Sequence, residues 1–502
     1  MRIPFLPCLA AGLCLLAPYC DAAAQATQET ITIDVRTPAR PFPHFWEQMF
    51  GSGRAVLSMR ESYREDLRQV KQITDFRYVR FHAILDDEVG VYGEDKQGNP
   101  IYNFDYVDQI YDGLLANGVK PFVELSFMPK LLAARLDYHP FWYHPIVSPP
   151  ADYTKWNALI HALAQHLVDR YGIDEVASWY FEVWNEPNID FWTGRPAQET
   201  YFELYDNTAR ALKAVNQRLR VGGPATAQAA WVDAIIAHTS KNQVPLDFVS
   251  THAYGNDTAM DILGHAEPIA PHQMVVAAVD KVHAQIAASA RPDIPLIWSE
   301  FNATYMSERE ITDSVYMGPW LAKTISDCDG KVNLMSYWTF SDVFEEQGVI
   351  NKPFFGGFGL IAIDHLPKPS FTAFRLLHNL GDQRIPEEAN DVLVTKKKDG
   401  TLVFAAWNLV EPGVTAPDKS ITFTFQGVKG NAAISISRVG KTYGDVLAVY
   451  DKMGQPAYPS QEQLRQLREV ERVAPPQVEH LHGGSFTLVI PAQELAVVEV
   501  GR

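Results

Sequence analysis

From residue 45 to residue 380 the chain repeats one alternation eight times: a short apolar, aromatic-rich run, then a longer segment with helical periodicity. Apolar runs of this length between helices read as strands buried on both faces, because a strand covered by helices has no side left to be polar. The eight candidates lie near residues 45–46, 77–81, 121–125, 179–183, 219–221, 248–250, 296–298 and 334–338. Between them, Asp152 can cap a helix in which Trp156, Leu159, Ile160, Leu163 and Leu167 share one face. Another helix is expected over about residues 201–219, and a last one from Ser370, after Pro367-Lys368-Pro369, burying Phe371, Phe374 and Leu377. Eight such units close into an α/β fold, the (β/α)₈ TIM barrel, whose chemistry sits at the carboxyl ends of its strands.

After residue 381 the texture changes to period-two alternation, at 391–395, 402–407, 421–425 and 486–490, with Asp399-Gly400 as a turn signal. This predicts a C-terminal accessory β-sandwich. The run Thr30-Ile31-Thr32-Ile33-Asp34-Val35 alternates in the same way, so an N-terminal segment is expected to join that sandwich and make the barrel an insertion. Residues 461–471 read as a helical insertion at its surface. The expected division is 1–24 leader, 25–44 strand segment, 45–380 barrel and 381–502 sandwich.

Arg2, the apolar stretch 5–16 and Ala22-Ala23-Ala24 have the form of a cleaved export signal, which predicts a periplasmic or secreted protein. Cys8, Cys14 and Cys20 would leave with it, so only Cys328 stays and no intrachain disulfide forms. A formal net charge of −17, with no basic cluster denser than Lys396-Lys397-Lys398, argues against a nucleic-acid partner. Beyond the leader no run has the 18 or more apolar residues of a membrane span. Neither a His-Glu-x-x-His motif nor Cys/His ligand spacing occurs, and no metal or other cofactor is expected.

Two aromatic-framed carboxylates stand where strands give way to loops: Glu186 in Phe181 to Asn188 and Glu300 in Pro295 to Asn302, 114 positions apart. At the ends of strands four and seven they can aim at one central cleft. A carboxyl pair of this kind suits cleavage of a sugar acetal, one group protonating the leaving oxygen and the other meeting the cationic carbon. Strand periodicity places Tyr180, Glu182, Trp184 and Glu186 on one side, and likewise Tyr78, Arg80 and His82. Arg80 and Glu182 are expected to pair in the barrel interior, and Pro187 to hold Glu186 extended or in a turn.

The ordered set Trp184-Asn185-Glu186-Pro187-Asn188, Trp298-Ser299-Glu300-Phe301-Asn302, Arg80-Phe81-His82, Thr251-His252-Ala253-Tyr254 and Tyr337-Trp338-Thr339-Phe340-Ser341-Asp342 resembles glycoside hydrolase family 39, specifically its β-xylosidases. The likeness runs along nearly the whole chain after the leader. It implies a retaining exo-glycosidase with Glu186 as acid/base and Glu300 as nucleophile, acting on xylo-oligosaccharides or aryl xylosides. By the same match Asn185 bonds the sugar 2-hydroxyl, His252 and Tyr254 flank the nucleophile, and His82 meets sugar hydroxyls. Phe127, Trp338 and Phe358 surround the sugar, and Glu345 or Glu346 holds its distal hydroxyls. The Pro-rich stretch 128–150 is expected to wall the rim and help set the aglycone. Rival readings are α-L-iduronidase, β-galactosidase or α-L-arabinopyranosidase activity, or a non-catalytic glycan-binding protein. Asn188 and the acidic Glu345-Glu346 pair speak against the iduronidase. Oligomeric state leaves no trace in the sequence.

Overall fold

The computed structural model describes residues 27–387, 389–471 and 475–501, so the expected leader lies outside the described residues. Eight parallel strands close a barrel in chain order: Met49–Gly51, Tyr78–Phe81, Lys120–Leu125, Tyr180–Val183, Arg220–Thr226, Phe248–Tyr254, Leu296–Asn302 and Leu334–Tyr337. All eight pairings are parallel, as βα connections require. The first strand begins later than the sequence suggests. Phe45 and Trp46 are fully buried but precede it, packing with Phe42 as an aromatic cluster at the strand's entry. Asp152 caps the helix Tyr153–Tyr171 through a 2.7 Å bond to the Thr154 amide. The other two predicted helices run Ala197–Val215 and Pro369–Leu377.

Inward side chains fill the barrel in layers. Met49, Phe122, Phe248, Ile297 and Leu334 form an apolar floor, with Tyr78 and Tyr180 against it. Two residues further along, six of the strands turn polar: Arg80, Glu124, Glu182, Ser250, Ser299 and Ser336, all nearly inaccessible. The next level opens to solvent and carries the candidate site. Apolar packing thus closes one end and leaves an ionic layer directly beneath the other.

The sandwich has a three-stranded sheet (Thr27–Asp34, Lys419–Gln426, Ser485–Ile490) facing a seven-stranded one. Thr27–Asp34 pairs in parallel with Lys419–Gln426, so a strand that precedes the barrel completes a domain that follows it. Arg40–Pro41 likewise pairs with Gln383–Ile385 at the edge of the larger sheet. Ile31, Ile33, Phe404, Phe423, Phe425 and Phe486 belong to the core between the sheets. The opposite face of the larger sheet, with Val403, Ala405, Trp407 and Leu495, joins the barrel core instead. Burial on both faces explains why Leu402–Asn408 is continuously apolar where Lys419–Gln426 alternates. Helix Gln461–Glu471 packs Leu464 and Leu467 with Phe354, Leu366 and Tyr450. Among the described residues no helix is long and apolar enough to cross a membrane.

Candidate active site

At the carboxyl ends of the strands lies a cavity of about 390 Å³ lined by, among others, His82, Asn185, Glu186, Tyr254, Glu300, Trp338, Glu346 and Phe358. Alternation alone does not deliver this arrangement. Strand four ends at Val183, and Trp184 and Glu186 then adopt φ of 71° and 42°, in the left-handed region that L residues avoid. Trp184 is thereby turned into the core beside Phe127 and Trp192, rather than following Glu182 inward, while Glu186 swings over the cavity. Strained backbone of this kind persists where surrounding structure over-determines it. Here the Glu186 amide donates to the Ala225 carbonyl at 2.8 Å, and Asn188 exchanges two hydrogen bonds with the backbone of Ala227.

Bulges do the same for strands six and seven. The register slips between Thr251 and His252 and places His252 opposite Glu300. A second slip between Trp298 and Phe301, against strand eight, lets Ser299 and Glu300 both reach the interior. His252 bridges the two carboxylates: Nδ1 lies 2.9 Å from Glu186 Oε1 and 3.7 Å from Glu300 Oε1, and Nε2 lies 3.1 Å from Ser299 Oγ. One carboxylate oxygen of Glu186 and one of Glu300 approach within 4.8 Å.

The two carboxyl groups sit in opposite surroundings. Glu300 Oε1 accepts from Arg80 Nη1 at 2.5 Å and Oε2 from the Tyr254 hydroxyl at 2.6 Å. Arg80, fully buried, also donates to Glu182 at 2.6 Å and Asn185 at 2.9 Å and pairs with Glu124 at 2.8 Å. One permanent cation therefore organises three glutamates and the Asn185 amide. Glu186 receives no cation of its own. Burial, then the charge of Glu300, push its carboxyl well above the ordinary range. Burial, then the positive charges of Arg80 and His82, hold His252 well below the usual imidazole range, so it stays neutral beside Glu186.

Trp338 lies 4.9 Å from the His82 ring at a tilt of 42° and forms with Tyr254, Phe344 and Phe358 an aromatic cluster along one wall. His82 Nδ1 lies 2.7 Å from Glu124. Although burial opposes its charge, Glu124 outweighs that effect and raises the imidazole. Glu346 comes within 3.6 Å of His82 Nε2, and burial pushes its carboxyl up to about 8. Glu345 is turned away. Arg60 at 2.5 Å and Arg54 at 3.3 Å hold it beside a separate cavity of about 240 Å³ that also involves Asp66 and His365. Phe127 is fully buried behind His82 and Phe191 and does not line the cavity.

The 128–150 stretch supplies His139 and Phe141 to the cavity wall, while sequence reasoning missed Glu124, Ser299 and the wall residues Ile189, Phe191, Gln228 and Tyr305. Glu124 left a signal, a lone charge inside an apolar strand run at the position paired with Glu182. The wall residues lie in loops without periodicity. Among the described residues two groups could present three ligand atoms to a metal: Glu186, His252 and Glu300 in the cavity, and His44, Glu47 and His378 beside Phe42 and Lys397 in a separate open cleft. In the second group both histidines hydrogen-bond the buried Glu47, at 2.7 and 2.8 Å, tying the entry of strand one to the end of the last barrel helix.

The model of glycosyl hydrolases family 39 matches residues 29–480. The chain belongs to this family. A β-xylosidase from Geobacillus stearothermophilus is 36% identical over 476 residues, 91% of this chain and 93% of that protein. The crystal structure of a monomeric β-xylosidase from Caulobacter crescentus CB15 superposes with a TM-score of 0.85 at 34% identity, covering 94% of this chain and 99% of that one. The likeness to α-L-iduronidase is weaker. The Mus musculus enzyme is 24% identical over 46% of this chain and 38% of its own length. As a family 39 glycosyl hydrolase, the chain is an O-glycoside hydrolase.

Proposed function

We propose that this family 39 member is a retaining β-xylosidase that removes terminal xylosyl units from xylo-oligosaccharides and other β-xylosides. Glu300 attacks the anomeric carbon as Glu186 gives its proton to the departing glycosidic oxygen, leaving a xylosyl ester on Glu300. Ester formation removes the charge of Glu300, and with it one of the influences that kept Glu186 protonated. Glu186 then takes a proton from water, which attacks the anomeric carbon, displaces the Glu300 carboxylate and releases xylose with its configuration kept. One observation carries this reading: carboxylate oxygens within 4.8 Å of each other, in unlike surroundings. Inverting pairs stand roughly 6.5–9.5 Å apart to admit a water between them.

The names of the relatives support xylose as the glycone, and so does the lining. Among the described residues no Lys or Arg lines the cavity, while Glu186, Asp257, Glu300 and Glu346 do. A uronate would meet acids without a clamp. Asn185, with its side-chain oxygen held by Arg80, can present its amide to the 2-hydroxyl, and Trp338 offers a face to the pyranose ring. Export is part of the proposal, on the strength of the apolar stretch and small residues before position 25.

Hydrolysis of 4-nitrophenyl β-xyloside by wild type and Glu300→Ala tests the assignment, with a loss of at least about a thousandfold expected in the variant. Equal rates would retire it. On a panel of 4-nitrophenyl glycosides the β-xyloside is expected to be fastest, and a uronide or β-galactoside in first place would overturn the glycone assignment.

A further inference from the structure

Fifteen large apolar side chains stand exposed among the described residues, and ten of them lie on the loops that follow barrel strands. The remaining five are Tyr106 on a barrel helix and four residues of the sandwich. Scattered exposed apolar residues need no explanation, but concentration around the open end of one cavity does. Leu136, Tyr138 and Trp142 stand on the loop after strand three, Ile189 after strand four, and Tyr305 and Met306 after strand seven.

We propose that this collar is an aglycone site for large apolar leaving groups, an inference that rests on Glu186 being the proton donor. The leaving oxygen must lie at Glu186, so whatever it carries extends past the residues next to that side chain. Ile189, three positions on, is 36% exposed and lines the cavity; Tyr305, 51% exposed, lines it from the other side with its ring 6.0 Å from that of Tyr254. The loops are tied together, Asn188 to Ala227 and the Tyr305 amide to the Asn256 side chain at 3.0 Å, so the wall is already formed in the free enzyme. Across the mouth, the Trp142 amide donates to the Glu346 carbonyl at 2.7 Å and joins the loops of strands three and eight.

The polar groups on this side already serve one another. Asp257 accepts from the Tyr254 amide at 2.7 Å and from the Gln228 side chain, and Asp190 stands 3.5 Å from His139. A second sugar here would have to share groups that are already engaged to satisfy its hydroxyls, whereas an apolar ring or chain only displaces water from Ile189, Tyr305 and their neighbours. The class assigned is therefore β-xylosides of extended hydrophobic alcohols or phenols, for which the enzyme has more affinity than for a xylose in the same place.

Non-hydrolysable alkyl 1-thio-β-xylosides separate aglycone affinity from leaving-group chemistry. The competitive Ki is expected to fall at least about tenfold from the methyl to the octyl compound. The slope of log Ki against chain length should flatten in Ile189→Ser and in Tyr305→Ser. Because each slope is internal to one protein, a change in overall activity does not obscure it. A flat series in wild type, or an unchanged slope in both variants, overturns the proposal. Hydrolysis of β-xylosyl fluoride, which has no aglycone, tells the two failures apart. Turnover of the fluoride with a flat alkyl series rejects the collar alone, and no turnover rejects the catalytic reading beneath it as well.

Discussion

Glu186 and Glu300 are the same side chain, and their neighbours divide the work between them. Arg80 and Tyr254 donate to Glu300, while Glu186 faces neutral His252 and the repulsion of Glu300. The sign of the resulting pH dependence follows directly. In the proposed mechanism Glu186 must be protonated to act as acid and its carboxyl is raised, so kcat/KM should persist above the ordinary carboxylate range and fall as pH climbs past the raised value. In Glu186→Gln the alkaline limb should vanish, with a loss of about 10²–10⁴-fold on an alkyl xyloside and much less on a dinitrophenyl xyloside, whose leaving group needs no proton. A persisting limb in that variant would assign the titration to another group, with Glu346, pushed up to about 8, the first to consider. That Glu186 and Glu300 would meet in one cavity was legible because each stands where an apolar strand run gives way to a loop at the open end of the barrel. The separate fates of Glu345 and Glu346 were not. Adjacent residues in a loop point in different directions, and which one meets Arg54 and Arg60 is decided by tertiary packing.

At the scale of elements, the loop after strand eight contributes Trp338, Glu346 and Phe358, and a buried cation anchors it. Lys368 Nζ, wholly inaccessible, lies 2.7 Å from both Asp313 and Asp342 and donates to the Gly357 carbonyl at 2.8 Å. Lys368→Ala would leave two carboxylates buried without their counter-charge. The expected cost is about 3–5 kcal/mol by denaturant titration, with reduced kcat/KM in whatever remains folded. A variant as stable as wild type would show the triad to be dispensable. Strand one shows why the floor of this loop accepts only glycine: a Cβ on Gly51 would come within 2.0 Å of the Trp338 ring. The sequence exposed the number and order of the elements, since burial on both faces leaves apolar runs that periodicity detects. It did not expose the bulges in strands six and seven, which carry no compositional mark and yet set His252 against Glu300. Strand four was read inward as far as Glu186, but left-handed backbone at Trp184 ended the alternation two residues earlier.

For the molecule as a whole, the sandwich is built around the barrel's own ends. Thr27–Asp34 and Arg40–Pro41 pair with strands that follow residue 381, so the barrel is an insertion flanked by a second domain, which packs against the helices Met317–Cys328 and Pro369–Leu377. This was legible because the 30–35 run alternates like the later strands, while the joining of one sandwich face to the barrel core showed only indirectly, as apolar residues on both sides of Leu402–Asn408. Together these parts hold an apolar floor, an ionic layer around Arg80 and the carboxylate pair above it in one rigid stack. The account stands on that pair acting through a covalent xylosyl-Glu300. Its most direct test is proton NMR of the first xylose released from an aryl β-xyloside, recorded before mutarotation. The account predicts the β-anomer, and α-xylose as first product would contradict it.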